Sequence, residues 1–257
     1  MGRNMPLIEV CVDSLESAQA AVRGGADRLE LCANLIIGGT TPSPWLIREA
    51  AKLGVPVNVL VRPRFGDFCY TDAEKAEQLE QVRGLAALGA SGAVVGALNS
   101  DGTLDSAFLR DCRVAAGDLT LTLHRAFDVC LNAHDALEEA IALGFDTVLT
   151  SGQQSAAVQG APLLGALVRQ ADGRIALMPG SGVKSTNIAW LHRTVGAQAY
   201  HLSAKKTVPG RMAFRREGVP MGLDAMSEYA LLRTDESEVR AARCALEAEC
   251  ASQAGNR

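Results

Sequence analysis

The sequence has few aromatic residues, no long apolar run and no strong excess of one charge. Phe, Trp and Tyr make up 4% of the 257 residues, and the formal net charge is -4. Without a basic excess there is no electrostatic reason to expect a nucleic acid or an anionic membrane as a partner. No apolar run approaches the length that spans a bilayer, and residues 1–6 lack the apolar core of a signal peptide. We therefore expect neither a nucleic-acid-binding nor a membrane protein.

The cysteines lack the pattern of a disulfide scaffold. There are seven, an odd number, scattered over the chain without a Cys-x-x-Cys pair. Disulfide-stabilised secreted domains are smaller and have denser, even-numbered cysteines. The cysteines are therefore expected to be reduced, and the protein to be cytoplasmic.

Length and composition favour a barrel of parallel strands. Hydrophobic residues make up 48% of the chain, and a single (β/α)8 barrel usually takes about 250 residues. Strand and helix patterns alternate without a linker as far as about residue 203. The predicted strands cover residues 7–12, 29–32, 57–61, 92–98, 119–124, 146–150, 174–178 and 199–202. The predicted helices cover residues 14–23, 45–53, 72–88, 106–116, 133–143, 161–170, 185–195 and 235–249.

These eight units predict an α/β fold, a single TIM barrel with a C-terminal extension. Residues 1–257 form one domain, with the barrel at about 7–203 and a loop and last helix at 204–257. The last helix is expected to begin with an Asp-x-x-Glu capping box at Asp235 and Glu238.

A Glu-x-Cys pattern occurs on each of the first two strands. Side chains two apart point the same way along a strand, so Glu9 and Cys11 share one face, as do Glu30 and Cys32. Consecutive strands joined by a helix usually pair. We therefore expect the two thiols in matching positions on adjacent strands.

The same alternation places many polar side chains inside the barrel, which is costly unless they pair or serve a purpose. The inward set is Glu9, Cys11, Glu30, Cys32, Asn58, Arg62, Thr122, His124 and His201. Several lie at the carboxyl ends of strands, where barrel enzymes build their active sites. Loops on that face add Arg64, Asp67, Tyr70, Arg125, Asp128, Thr150, Ser151, Gly180 and Gly182.

Structural explanations exist for several of these residues. Glu9, Glu30 and Arg62 could form a buried ion-pair network that only holds the barrel together. Buried cysteines are often small hydrophobic packing residues, and His124 could satisfy a buried carbonyl group. The inward direction of His124, beside Arg62 and Glu30, favours a functional histidine.

A glycine turn after the seventh strand is a candidate anion site. Gly180-Ser181-Gly182 precedes the predicted helix at 185–195, where free backbone N–H groups could hold an anion. The basic residues of the following segment would support this site if they fold over it, or they belong to a solvated loop. They are Lys205, Lys206, Arg211, Arg215 and Arg216.

A family resemblance extends from residue 7 to about residue 239. The motifs that carry it are EVCVDS at 9–14, GGADRLELC at 24–32, GGTTPS at 38–43, RPR at 62–64, GDF at 66–68, HRAFD at 124–128, LTSG at 149–152 and MPG at 178–180. Together they resemble the copper homeostasis protein CutC family. The resemblance implies a cytoplasmic (β/α)8 barrel, often a dimer, with Cu(I) bound at the positions of Cys11 and Cys32. Soft thiolates do select Cu(I).

Two hypotheses of different classes remain open. In the first, the protein binds Cu(I) through Cys11 and Cys32 and takes part in copper homeostasis. In the second, it is an enzyme for a small anionic, for example phosphorylated, metabolite. Arg62 and Arg64 would then hold the anion, and Glu30 or His124 would move a proton. Neither hypothesis implies an organic cofactor.

Overall fold

Short runs of buried aliphatic residues form the central strands, and each is followed by a helix. The computed structural model describes residues 5–216, 218–219, 221–222 and 227–255. The central strands are β1 (Leu7–Val12), β2 (Arg28–Leu31), β3 (Val57–Leu60), β4 (Gly92–Val95), β5 (Thr120–Leu123), β6 (Thr147–Thr150), β7 (Ala176–Pro179) and β8 (Ala199–Leu202).

Seven helices alternate with these strands and an eighth follows the last of them. They are α1 (Leu15–Arg23), α2 (Pro44–Ala50), α3 (Asp72–Gly84), α4 (Ser106–Ala116), α5 (Ala133–Ala142), α6 (Ala161–Ala171), α7 (Ile188–Val195) and α8 (Glu236–Gly255). Side-chain caps start several of them. Ser14 accepts from the N–H of Ser17 at α1, and Thr71 forms a full capping box with Glu74 at α3. Among the described residues, each helix is too short or too polar to span a lipid bilayer.

The strands form one parallel sheet that curves into a barrel. Their order is β7-β6-β5-β4-β3-β2-β1-β8, and β8 packs beside β7 to close the ring. The apolar core lies between the sheet and the surrounding helices. The predicted (β/α)8 barrel is therefore confirmed, and the carboxyl ends of all eight strands meet at one face.

The predicted start of α7 is three residues too early. The N–H of Lys184 bonds to the Asn187 side-chain oxygen at 2.9 Å, and the helix begins only at Ile188. The turn at Gly180 and Gly182 is therefore separated from the helix by a loop. It is not the helix N-terminus that the sequence suggested.

The predicted capping box of the last helix is also wrong. Asp235 does accept from the N–H of Ser237 at 3.1 Å, but Glu238 turns away from the helix start. Its carboxylate instead accepts from the N–H and the hydroxyl of Ser185, at 2.7 and 2.9 Å. A tertiary contact thus replaces the local one.

The C-terminal extension contains a hairpin that the sequence did not predict. Strand β9 (Lys205–Pro209) pairs antiparallel with β10 (Ala230–Thr234). The hairpin is anchored to α1, because the N–H of Thr234 donates to the Ser17 hydroxyl at 3.2 Å. Parts of the predicted extension, residues 217, 220, 223–226 and 256–257, lie outside the described residues.

Helix α8 packs against the end of α1 at a position that requires glycine. A Cβ atom built on Gly24 would lie 2.6 Å from Cβ of Val239 and 2.9 Å from the carbonyl oxygen of Glu236. Backbone and core atoms cannot move away as a flexible side chain can. Gly84, at the end of α3, has nothing within 4 Å of such a Cβ.

We predict that Gly24→Ala destabilises the protein by about 1–3 kcal/mol, because α8 must move away from α1. The matched change Gly84→Ala should be neutral or stabilise by up to about 1 kcal/mol. Urea denaturation of both variants measures the difference. Equal stabilities would show that the close packing of α8 on α1 is incorrect.

Candidate functional site at the carboxyl ends of the strands

A buried carboxylate on β1 links three strands. Glu9 accepts from Nε of Arg28 on β2 at 2.5 Å and lies 2.8 Å from Nδ1 of His201 on β8. The strand register produces this contact, because Glu9 pairs with Arg28 on one side and with His201 on the other. Glu9 itself is fully buried. A buried carboxylate needs such partners to stay ionised.

One layer closer to the barrel mouth, three potential metal ligands meet. Sγ of Cys11, a carboxylate oxygen of Glu30 and a ring nitrogen of His201 all lie within 4.8 Å of one another. All three residues are buried. The cluster comes from β1, β2 and β8, so it depends on closure of the barrel.

The two Glu-x-Cys segments are not in matching positions. In the parallel register Cys11 pairs with Glu30, so the second segment is displaced by two residues toward the mouth. The expectation of matched thiols is corrected here, because strands in a barrel are staggered. Cys32 still packs with Cys11 in one small apolar cluster, and its Sγ lies 3.6 Å from Oε2 of Glu30.

Burial and neighbouring charges shift the pKa values of this cluster. Burial opposes the ionisation of Glu9, but Arg28 and His201 outweigh it and hold the Glu9 pKa below its usual value. Burial raises the pKa of Glu30. Burial, and then the charge of Glu30, raise the pKa of the Cys32 thiol well above its usual range. For His201, burial is outweighed by Cys11 and Glu30, so its pKa lies well above the usual value.

Arg62 follows β3, the strand next to β2, and also lies at the mouth. Its guanidinium donates to the carbonyl oxygens of Gly39 at 3.0 Å and Gly66 at 2.9 Å, and its stem is buried. The network of Arg62 with Glu9 and Glu30 that the sequence suggested is not formed. Arg28 is the partner of Glu9 instead.

Arg64 does not join Arg62 at the pocket. It donates to Glu74 at 2.5 Å and to Asp67 at 3.2 Å, and it lies over the ring of Tyr70. These contacts hold the loop after β3. The double arginine clamp expected from the sequence is therefore reduced to Arg62.

His124, directly after β5, is held in one tautomer. Its Nδ1 accepts from the N–H of Ala126 at 3.1 Å, so the neutral ring carries its proton on Nε2. Burial, with the charge of Arg62, lowers the pKa of His124 to about 3. A neutral ring whose Nδ1 is engaged is suited to donating a hydrogen bond rather than to accepting a proton.

The loops after β5 and β6 are tied together by Asp128. Its carboxylate accepts from the Thr150 hydroxyl at 2.5 Å, from the Ser151 N–H at 2.9 Å and from Nε of Arg125 at 2.6 Å. Arg125 also donates to the Ser151 hydroxyl. Asp128 thus positions Arg125, whose side chain is partly exposed at the mouth.

A pocket of about 210 Å³ lies between these groups. Cys11, Glu30 and His201 contribute to one side, and Arg62, His124 and Arg125 to others. Gly182 also lines it, while Gly180 lies beneath, where a Cβ would approach Leu149 at 2.5 Å. Asn58 and Thr122 are buried inside the barrel as expected.

Two residues of this face were missed by sequence reasoning. Arg28 lies two positions before Glu30 on the same strand, so the alternation already contained the signal for its inward direction. Phe68 lies between Arg62 and His124, and the centroids of the Phe68 and His124 rings are 4.9 Å apart. A loop residue of this kind carries no periodic signal.

Comparison with known proteins identifies the family. The model of the CutC family matches residues 6–206. The chain belongs to the CutC family. The CutC protein of Parabacteroides distasonis is 45% identical over 238 residues, which is 91% of this chain and 98% of that protein. A human relative named copper homeostasis protein cutC homolog is 44% identical over 236 residues, 91% of this chain and 86% of the relative.

Solved structures support the same family and fold. The putative copper homeostasis protein CutC of Streptococcus agalactiae superposes with a TM-score of 0.74 at 31% identity, covering 77% of this chain and 99% of its own. A phosphoribosylanthranilate isomerase from Thermotoga maritima superposes with a TM-score of 0.58 at 13% identity, covering 95% of this chain and all of its own. The second likeness shows the barrel fold alone.

We predict that Arg28→Met destabilises this CutC family member by about 3–5 kcal/mol, because it leaves the buried Glu9 carboxylate without its main counter-ion. Arg23→Met is the matched control. It breaks an ion pair with Glu236 whose arginine side chain is 59% exposed, and should cost at most about 1 kcal/mol. Chemical denaturation distinguishes the two, and equal losses would contradict the buried pair.

His124 should make the fold sensitive to acid. Its pKa of about 3 in the folded state lies below the ordinary value of 6.5. When the pH falls below 6.5, His124 therefore becomes protonated in the unfolded chain before it does so in the folded one. The free energy of unfolding should therefore fall by up to about 1.4 kcal/mol per pH unit between these two values. His124→Asn keeps an acceptor for Ala126 and should remove this slope.

The measurement is the difference in unfolding free energy between the wild type and His124→Asn as a function of pH. His134→Asn, which changes an exposed histidine on α5, serves as the control. A His124 ring resonance that titrates near its ordinary pKa in NMR spectra would contradict the prediction.

Proposed function

We propose that this protein binds Cu(I) at the carboxyl ends of β1, β2 and β8 and acts in copper homeostasis. The observation that carries the proposal is the buried cluster of Cys11, Glu30 and His201, with the Cys32 thiol beside it. Two relatives, from human and mouse, are named copper homeostasis protein cutC homologs. Family membership and the donor set thus point to the same metal.

Cys11 and Cys32 are the proposed thiolate ligands. Soft sulfur ligands favour Cu(I), and imidazole also suits copper, so His201 is a fitting third donor. The three side chains come from neighbouring strands of the barrel, and they therefore lie close together at its carboxyl end. Asymmetry is expected between the thiols, because only Cys11 belongs to the cluster with His201.

The neighbouring carboxylates would manage the protons that metal binding releases. Thiols and a protonated imidazole must lose a proton before they bind a metal ion. The Cys32 thiol lies 3.6 Å from Oε2 of Glu30, which offers that proton an acceptor. Glu9 holds Nδ1 of His201, which leaves Nε2 directed toward Glu30 at 3.7 Å.

We also propose that the protein is cytoplasmic and forms a homodimer. Within the described residues, no disulfide joins Cys11, Cys32, Cys69, Cys112, Cys130 or Cys244, which suits a reducing compartment. Apolar side chains near the mouth, Ile36, Trp45 and Phe65, are exposed and offer a surface for a second copy. Light scattering in solution tests the dimer, and a monomer at all concentrations would contradict it.

A second function, an enzymatic one, is favoured by polar groups of the pocket that are not needed to bind copper. Arg62 and His124 line the same pocket as Cys11 and suit an enzyme acting on a small anionic metabolite. Glu30, whose pKa is raised by burial, is the proton-transferring group in that function. His124 would donate a hydrogen bond to an oxygen of the substrate.

For the copper function, we predict one tightly bound Cu(I) per chain in an anaerobic titration against a competing chelator. Cys11→Ser should weaken binding more than Cys32→Ser, because it removes the thiol that belongs to the cluster with His201. The double variant should lose binding. Cys69→Ser/Cys244→Ser, which changes two exposed cysteines, is the matched control and should bind as the wild type does.

Binding that persists in Cys11→Ser/Cys32→Ser would exclude this copper site. Weak binding by the wild type, no stronger than that of the double variant, would have the same meaning. Circular dichroism of the double variant confirms that any loss of binding is not a loss of folding.

A further inference from the structure

Arg62 is a buried cation that has no anionic partner among the described residues. Its relative exposure is 7%, and its guanidinium donates to the carbonyl oxygens of Ile37, Gly39 and Gly66. The Tyr70 hydroxyl and the Phe68 ring, both uncharged, also lie against it. Nε has no hydrogen-bond partner among the described residues. Burying a charge is costly unless an opposite charge accompanies it. The half-buried Arg28, by contrast, has such a partner in Glu9.

A second donor in the same pocket is also unsatisfied. His124 is 5% exposed, and its Nε2 has no hydrogen-bond partner in the described part of the chain. Because Nδ1 accepts from the N–H of Ala126, Nε2 carries the ring proton. Buried donors without partners are rare in folded proteins and call for an explanation.

The two donors belong to one side of one pocket. The ring of Phe68 lies against both, with the Arg62 guanidinium carbon 5.1 Å and the His124 ring 4.9 Å from its centroid. Both residues line the cavity of about 210 Å³, together with Cys11 and Glu30 on another side. This space has room for several water molecules and therefore for a small metabolite.

We propose that this pocket binds a small organic anion, whose acidic group lies against Arg62 and whose oxygen accepts from Nε2–H of His124. The ligand supplies the missing counter-charge of Arg62 and the missing acceptor of His124. Its other end faces Cys11, Glu30 and His201. Carboxylates and phosphate monoesters share the required chemistry, namely oxygen acceptors with negative charge on a compact molecule.

This inference rests on the second proposed function, whose ligand class it names, and does not depend on copper. Arg62 and His124 are not among the proposed copper ligands, and the anion site is complete in the metal-free protein. Copper binding and anion binding can therefore succeed or fail separately. The site would supply the recognition half of an enzyme whose substrate is a small acid.

The test uses the metal-free full-length chain, with malonate and inorganic phosphate as probes at constant ionic strength. We expect at least one probe to bind saturably, with a Kd of about 1 mM or tighter by calorimetry. The His124 Nε2–H resonance, observed with histidine-selective ¹⁵N labelling, should shift along the same binding curve. A nonspecific salt effect would appear with chloride as well.

Two variants probe the donors. His124→Asn keeps the acceptor for Ala126 but lacks the Nε2 donor, and should weaken binding about tenfold or more. His134→Asn should leave binding unchanged. Arg62→Lys keeps the charge without the Nε donor and should also weaken binding. If Arg62→Lys does not fold, the proposal is still tested by His124→Asn and by the His124 Nε2–H resonance of the wild type.

The proposal is overturned if neither anion binds saturably to the wild type. It is also overturned if His124→Asn binds the anion as tightly as the wild type does, or if the Nε2–H resonance stays in place while binding is measured elsewhere.

Discussion

The site depends on one buried interaction, the Glu9 carboxylate held between Arg28 and His201. These residues come from β2, β1 and β8, which are neighbours only in a closed barrel. Ionising a buried carboxylate requires opposite charges within contact distance. The same contact fixes the ring of His201 so that its other nitrogen faces Glu30 and Cys11. The copper-binding chemistry proposed for this face thus rests on a carboxylate, Glu9, that is not itself a proposed copper ligand.

The mouth of the barrel has two chemically distinct sides. One side carries soft and acidic groups, the thiols of Cys11 and Cys32 with the carboxylate of Glu30. The other carries the uncompensated charge of Arg62 and the fixed donor of His124. The proposed copper function accounts for the first side, and the proposed small anion accounts for the second. The family name, copper homeostasis, relates only to the side that carries the thiols. Function depends on the residues of a site and not on the fold alone.

Much of the site could be predicted from the sequence, since alternation along a strand decides which face a side chain occupies. Glu9, Glu30 and His124 were placed inside the barrel in this way and are buried there. Alternation could not predict which side chains pair. It indicated neither that Arg28 pairs with Glu9 nor that Arg62 lacks such a pair. Pairing depends on the stagger between strands, and the stagger of a barrel is a property of all its strands together.

The sequence alone determined the eight strand and helix units and the set of polar residues that point inward, because both follow from the local period of apolar side chains. The tertiary structure decided how these residues meet. It displaced Cys32 from Cys11 by two residues, turned Glu238 toward Ser185, and fixed the tautomer of His124 through Ala126. Each of these contacts is set by distances between segments far apart in the chain or by backbone geometry in a loop, and neither leaves a periodic trace in the sequence.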